Sequence, residues 1–321
     1  MMDPLSEVLR SVRLAGGVFL SGHLTAPWCL SVNVTGDFCL TLLPERPVQI
    51  ISYHVVTEGR LLVGVDGEPA AEVRAGEIVL FPRNAPHTLS DRQGVKPVNA
   101  RALIQQSTDG GLHRIVHGGG GDVTRIFCGF LASQDSFSPL FSALPEALII
   151  DVCDGASREW IEASVRFAAS ELAEGRLASS SVIARLSESL LTEAVRQYAS
   201  TLGEENKGWL KGLTDPKVGR ALALIHNKTS APWTAETLAH EVSLSRSAFV
   251  ERFTSLVGMP PIRYLTFWRM QTAKLNLRET RKTIAQLAYS AGYDSEEAFS
   301  RAFKREFGVA PAIWRGMLVS Q

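Results

Sequence analysis

The 321-residue sequence predicts an α+β multidomain chain: an N-terminal β-barrel, connector helices, and a C-terminal all-α region with two helix-turn-helix units. Three observations carry that prediction. Short β-rich runs broken by Gly, Pro and Asp fill residues 16–130, the texture of a β-sandwich or small barrel. Two stretches of helical periodicity follow, at 158–174 and 182–202. In the last third of the chain, a set of apolar and capping residues occurs twice, about 50 residues apart. The length also exceeds the roughly 100–200 residues of one domain.

The elements follow in order. A short helix opens the chain, with Asp3 as cap, Pro4 in its first turn, and Leu5, Val8, Leu9 and Val12 on one face. Strands are expected at Leu30–Val34, Phe38–Leu43, Val48–Val56, Arg60–Val65, Glu77–Phe81, Ala100–Gln105 and Thr124–Phe130. Their turns include Asp66-Gly67, a hairpin signal, and the four glycines 118–121. The first connector helix carries Ile161, Val165, Ala168 and Leu172. The second carries Ile183, Leu186, Leu190, Ala194 and Tyr198, a stripe able to bury itself in a partner chain or equally in its own barrel. Residues 203–208 have a linker's composition. The divisions expected are 1–155, 156–208 and 209–321.

The repeat is the most informative feature. Leu238-Ala239 returns as Leu287-Ala288, 49 residues on, while Phe249, Phe253, Gly258 and Pro261 return 50 residues on as Phe299, Phe303, Gly308 and Pro311. The one-residue difference falls in a turn. Thr234 precedes the first short helix, and Thr283 with Gln286 makes a capping box for its counterpart. Ser245 and Asp294 are the expected caps of the second helices, which end at glycines suited to a left-handed C-cap. The units span about 234–257 and 283–307. Between them runs a helix over Pro261–Glu279, whose 19 residues make a rod of about 28 Å. That is close to the roughly 34 Å between successive major grooves on one face of B-DNA.

Composition narrows the classes further. Residues 214–321 hold 15 Lys and Arg against 9 Asp and Glu, while residues 1–213 hold 18 against 24. The neutral total therefore hides a basic block joined to an acidic one, as expected where a nucleic-acid-binding domain is attached to something else. No apolar run approaches the roughly 20 residues of a membrane helix, and no basic-then-apolar leader opens the chain, so a cytoplasmic location is expected. Cys29, Cys39, Cys128 and Cys153 form no Cys-x-x-Cys pair and are expected reduced and buried.

Residues 214–321 resemble the DNA-binding domain of the AraC/XylS family of transcription regulators. The stretch from Leu244 to Phe253 is similar to that family's first recognition helix, and Ala291 to Pro311 resembles its C-terminal signature closely. The front resembles the cupin-type sensor domain of one subgroup, through Leu14–Leu20, Ala26-Pro27-Trp28, Tyr53–Gly59 and Pro82–His87. The resemblance implies a promoter-binding regulator, expected to activate through RNA polymerase, to answer a small-molecule effector in the cupin-like domain, and to form a homodimer. No cofactor is expected.

With the aromatic stripes buried, the opposite helix faces offer Arg246, Ser247, Val250 and Glu251, then Glu296, Glu297, Ser300 and Arg301, as base-reading candidates. An arginine binds guanine O6 and N7 bidentately; the competing role for Arg301 is an i, i+4 pair with Glu297. Glu251 departs from the family pattern, in which a basic or amide residue is common; a carboxylate accepts from cytosine N4. Thr254, Lys274, Arg278, Arg281, Lys282, Lys304 and Arg305 are the phosphate candidates. In the front domain Trp28, His54 and His87 are the effector candidates, each equally readable as a core or turn residue. His113 and His117 beside the glycines read as solvated loop. The competing class is a metal-dependent cupin enzyme with a DNA-binding tail. It would need His-x-His, a following Glu and a further His. His87 fits the last, but His54 lies too late for the first and the Glu is missing, so no metal site is expected.

Overall fold

The computed structural model describes residues 5, 14–40, 43, 46–106, 112–133, 141, 143–151, 163, 167, 179–203, 206 and 208–319. They divide into two compact units, one within residues 12–201 and one within 202–321.

The first unit is two facing sheets. Strands β1 (Ala15–Thr25), β3 (Gln49–Glu58), β6 (Glu77–Phe81), β9 (His113–Gly118), β10 (Val123–Ser133) and β11 (Leu148–Asp151) form one, in the order β11-β6-β3-β10-β1-β9. Strands β2 (Cys29–Val32), β4 (Arg60–Val65), β5 (Ala71–Arg74), β7 (His87–Ser90) and β8 (Val98–Asn99) form the other, in the order β5-β4-β7-β2-β8. Alternation along each strand sends one side chain in two inward. Leu20 and Leu24 of β1, Val56 of β3, Val79 and Phe81 of β6 and Ile126 of β10 thus meet Leu30 of β2, Leu61 and Val63 of β4 and Leu89 of β7 in one core.

The sheet region differs from the sequence reading in several places. Phe38–Leu43 is not a strand: helix α1 (Gly36–Cys39) forms there, because Thr35 caps it by accepting from the Phe38 amide at 3.2 Å. The apolar Phe38 ring instead packs against Phe19 and Phe130. Ala100–Gln105 begins as a short 3₁₀ turn, Ala100–Leu103, capped by the Asn99 side chain. His113 and His117 lie on strand β9, parallel to β1, rather than in a loop. Strands β1, β5, β7, β8 and β9 fall in the β-rich stretch 16–130, and β11 lies beyond it. Cys29, Cys39 and Cys128 are buried free thiols. The opening helix, the helix at 158–174 and Cys153 fall outside the described residues, apart from single positions.

Helix α2 (Ser179–Thr201) carries part of the expected stripe against its own sheet. Leu190, Leu191, Ala194 and Val195 are buried, and the helix packs on β1, β10 and β11 of its own unit.

The second unit contains helices α3 (Trp209–Thr214), α4 (Pro216–Asn227), α5 (Ala235–Glu241), α6 (Arg246–Val257), α7 (Pro261–Glu279), α8 (Ile284–Ser290), α9 (Glu296–Phe307) and α10 (Pro311–Val319). The pairs α5–α6 and α8–α9 are the two helix-turn-helix units, and α7 has the bounds expected, from Pro261 to Glu279. Apolar side chains surround α7 on most sides, including Tyr264, Leu265, Phe267, Trp268, Met270, Ala273 and Leu277, because it serves as core for both units. Gly258 and Gly308 take the left-handed C-cap at φ 83° and 80°. Thr234 with Thr237, and Thr283 with Gln286, form reciprocal capping boxes.

One cap differs from expectation. Ser295, not Asp294, caps α9, its hydroxyl accepting from the Ala298 amide at 3.2 Å. Ser295 stands 50 residues after Ser245, which caps α6 by the same bond to Ala248 at 3.3 Å. The extra residue of the second copy therefore lies in the turn just before the cap. Ser295→Ala should destabilise the helical unit by about 1 kcal/mol while Asp294→Ala changes it by less than about half of that, read from denaturant unfolding followed by circular dichroism. The reverse ranking would restore Asp294 as the cap.

Candidate nucleic-acid interface and ligand cleft

Phe249, Phe253 and Val257 bury one face of α6; Phe299 and Phe303, with the half-buried Phe307, do the same for α9. Burial of these stripes leaves the opposite faces to solvent. On α6, Arg246, Ser247 and Glu251 are exposed and Val250 is half-buried; on α9, Glu296, Glu297 and Arg301 are exposed and Ser300 is half-buried. Glu297 is turned back on the start of its helix. Its carboxyl is held below the usual range by its own backbone amide first and the Ser295 hydroxyl next, with the Arg301 charge contributing a smaller pull. It acts as a second cap, so the charge of Arg301 is largely uncommitted along the helix.

The phosphate candidates separate into two groups. Arg278, Arg281, Lys282, Lys304 and Arg305 are exposed around the end of α7 and on α9. Thr254 and Lys274 are not placed for that role. The Thr254 hydroxyl is buried, where a phosphate does not reach. The Lys274 ammonium lies over the rings of Phe307 at 5.4 Å and Trp314 at 6.0 Å, so it packs α7 against α9 and α10.

Arg252 is a positioning residue that the sequence reading passed over. Its guanidinium binds the buried Asp215 through both carboxylate oxygens, the Nε contacts being 3.2 and 3.1 Å. Asp215 in turn caps α4 by accepting from the amides of Lys217 and Val218 at 3.0 and 2.9 Å. Burial alone would raise the Asp215 pKa, but Arg252 and the two amides outweigh it and hold the carboxylate ionised. Breaking such a bidentate pair leaves a buried charge, so the orientation of α6 on α4 depends on it. No apolar pattern signals this contact, because the partners are 37 residues apart.

In the sheet unit a cleft, partly continuous with solvent, opens beside the core. Leu20, Leu30, Ile104, Ile115 and Ile126 supply apolar wall, and His54, Cys128, Ser31, Asn33 and Arg101 supply polar groups. His54 lines it; Trp28 and His87 do not. Trp28 is a core residue, 1% exposed, whose ring N–H has no partner among the described residues.

His54 and His87 meet across the two sheets. His54 Nε2 lies 2.8 Å from His87 Nε2, His54 Nδ1 lies 3.0 Å from Cys128 Sγ, and His87 Nδ1 lies 2.7 Å from the Ala85 carbonyl. A carbonyl only accepts, so His87 Nδ1 donates. Burial lowers the His87 pKa to about 4, leaving its Nε2 unprotonated and accepting at neutral pH. His54 Nε2 must then donate. Burial first and His87 second push the His54 pKa well below its ordinary value, so its Nδ1 accepts from the Cys128 thiol, whose pKa burial raises to about 12. One assignment of protons satisfies the whole chain. Cys128 and His87 sit at opposite nitrogens of the His54 ring and do not converge on one point. Among the described residues no group of three His, Cys, Asp or Glu side chains is placed to hold a metal ion.

Two helix-turn-helix units on one connecting helix, in a chain that also carries a double-sheet domain, define a DNA-binding regulator. Residues 3–200 match the cupin family and residues 238–317 match a helix-turn-helix domain family. A putative AraC-like transcription regulator of Streptomyces antibioticus is 31% identical over 317 residues, covering 98% of either chain. The HTH-type transcriptional regulator AlkR of Acinetobacter baylyi is 29% identical over 321 residues, covering 98% of this chain and 99% of that one. The DNA-binding domain of AdpA, solved in complex with a target DNA, is 28% identical over 33% of this chain and 96% of its own, with a TM-score of 0.32. The chain belongs to the AraC family of DNA-binding transcription regulators, with a cupin domain at its front. These relatives are named as regulators, which favours that class over a cupin enzyme.

The histidine chain has a pH consequence. A buried neutral histidine refuses protons that the unfolded chain accepts, so its contribution is complete above pH 6.5 and is lost as pH falls toward the folded value. For His87 the window runs from about 6.5 down to about 4, with a loss on the order of 3 kcal/mol across it. In His87→Gln the unfolding midpoint of the sheet unit should fall less steeply between those limits than in the wild type. Parallel curves would show that His87 is not held neutral.

Proposed function

We propose that α6 and α9 enter two adjacent major grooves on one face of a promoter duplex, and that an effector in the sheet cleft controls this binding. The observation that carries the reading is the doubled unit: two helices with matched Ser245 and Ser295 caps and matched glycine ends, on either side of the 19-residue α7. Base reading falls to Arg246, Ser247, Val250 and Glu251 on α6 and to Glu296, Ser300 and Arg301 on α9. Glu297 serves mainly as a cap. Arg278, Arg281, Lys282, Lys304 and Arg305 take phosphates and supply affinity.

Residues 1–155 sense, 156–208 connect, with α2 packed on the sensor sheet, and 209–321 bind DNA. His54 is the cleft's contact to an effector. Because its nitrogens are already paired, that contact is to the ring rather than through a free ring N–H. The polar groups at the cleft with spare capacity are Ser31, Asn33 and Arg101. The chain works in the cytoplasm as a homodimer that activates through RNA polymerase. Its dimer face is not the Leu190 and Ala194 stripe, which α2 spends on its own sheet. Among the described residues no helix is long and apolar enough to cross a membrane.

Selection of duplexes by the full-length protein from a randomised pool tests the reading. Two short blocks about one helical turn apart should be recovered, with affinity falling steeply as salt rises. Lys304→Ala should weaken all recovered duplexes alike and lower the salt slope by about 1, whereas Lys274→Ala should leave the slope unchanged. Failure to enrich any sequence, with or without the sensor unit, would remove the DNA-binding assignment.

A further inference from the structure

One side chain of the connecting helix reaches both the approach to the first helix-turn-helix unit and the turn of the second. Arg269, midway along α7, sends Nε to the Thr229 carbonyl at 2.9 Å and Nη2 to the Ala231 carbonyl at 2.8 Å. Both carbonyls belong to the loop between α4 and α5, which leads into the first unit. The same guanidinium lies over the Tyr293 ring at 5.8 Å, in the turn of the second unit. Tyr293 packs edge-on against Phe299 of α9, with centroids 5.7 Å apart. A continuous line of contact thus runs from the entrance of the first unit, through Arg269, to the recognition helix of the second.

Gly292 makes the close approach possible. It sits at φ +74°, and a Cβ there would fall 2.6 Å from the Ser230 carbonyl oxygen and 2.7 Å from Arg269 Nη2. Its counterpart 49 residues earlier is Ser243, which takes the same left-handed turn at φ 54°. The turn geometry alone therefore admits a side chain; the close neighbours of Gly292 do not. The matching bonds Leu244 N to Ala239 O and Tyr293 N to Ala288 O, both 3.0 Å, confirm that the two turns correspond. Glycine in the second copy answers to the contact between units.

We propose that Arg269 is a positioning residue that locks the two recognition helices at one separation and one rotation, so that the protein measures the distance between its two DNA blocks. This rests on the reading that both α6 and α9 enter grooves. Two readers linked loosely would tolerate several spacings at a reduced effective concentration, whereas a rigid pair demands one. Each base pair inserted between the blocks turns the second away by about 35° as well as moving it along the axis. A lysine does not reproduce Arg269, because its point-like ammonium lacks two donor nitrogens held apart in a plane that also lies over the Tyr293 ring.

The test uses the full-length protein and the duplex it selects from a randomised pool, together with versions carrying one, two or three extra base pairs between the blocks. Wild type should lose about 100-fold in affinity on insertion of two pairs. Arg269→Met keeps an apolar stem but no donors; it should bind the parent duplex about 10-fold more weakly, and two inserted pairs should cost it less than about 5-fold more. Gly292→Ala should behave likewise, and Arg269→Lys should fall with Arg269→Met. Each spacing penalty is a ratio within one variant, so a partly unfolded preparation does not change it. If Arg269→Met keeps the 100-fold penalty while losing affinity uniformly, the lock is overturned and the double-reader reading stands. Recovery of a single block by the wild type would overturn both.

Discussion

Everything in the DNA-binding half depends on one helix being buried from several sides. Helix α7 carries Tyr264, Leu265 and Trp268 toward the first helix-turn-helix unit and Met270, Ala273 and Leu277 toward the second, so neither unit has a complete core without it. Its Tyr264 hydroxyl is held by the ring nitrogens of Trp209 and His226, each at 2.8 Å, which ties α3 and α4 to the same axis. His226 stacks on Trp268, and burial lowers its pKa to about 3, so it stays neutral and sits in the core. With the cores spent on α7, the outer faces of α6 and α9 are left without apolar partners. Apart from Glu297, which caps its own helix, and Ser247, beside the Ser245 hydroxyl at 3.3 Å, the candidate polar residues on them are not used by the caps or the core.

The cupin half has a comparable internal tie. The His54 to His87 bond joins the two sheets across their core, and its proton order is dictated from one end by the Ala85 carbonyl. Such a chain is a poor metal site and a poor acid or base, since each ring nitrogen is already paired and burial disfavours charge. It is a good fixed wall for a cleft. His54 is thereby fixed in the wall of the cleft, beside the polar groups Ser31, Asn33 and Arg101.

Much of the helical half was legible in the sequence because its signals are local. Gly, Pro and Ser or Thr at fixed offsets mark helix ends within a few residues, and the bounds of α7 at Pro261 and Glu279 follow directly. Ser295 was legible too, through the 50-residue offset from Ser245, but the acidic residue before it was a competing cap. The sheets were less readable. Strand β9 lies at a sheet edge with Val116 exposed, so its pattern is weak, and Phe38 belongs to a capped helix that covers an aromatic cluster. Arg252 and Arg269 were out of reach: each joins groups 37 to 40 residues apart, and no periodicity reports such a contact.

The central claim is that one chain supplies two readers, each to its own block of DNA. Hydroxyl-radical footprinting of the full-length protein on its selected duplex, for wild type and for Arg301→Ala, tests it most directly. For each bound chain, two protected patches on one face about ten base pairs apart are expected, with Arg301→Ala weakening one patch of the pair and sparing the other. If both patches fade together, each is made by the same helix of two different chains, and the account of a single chain reading twice is wrong.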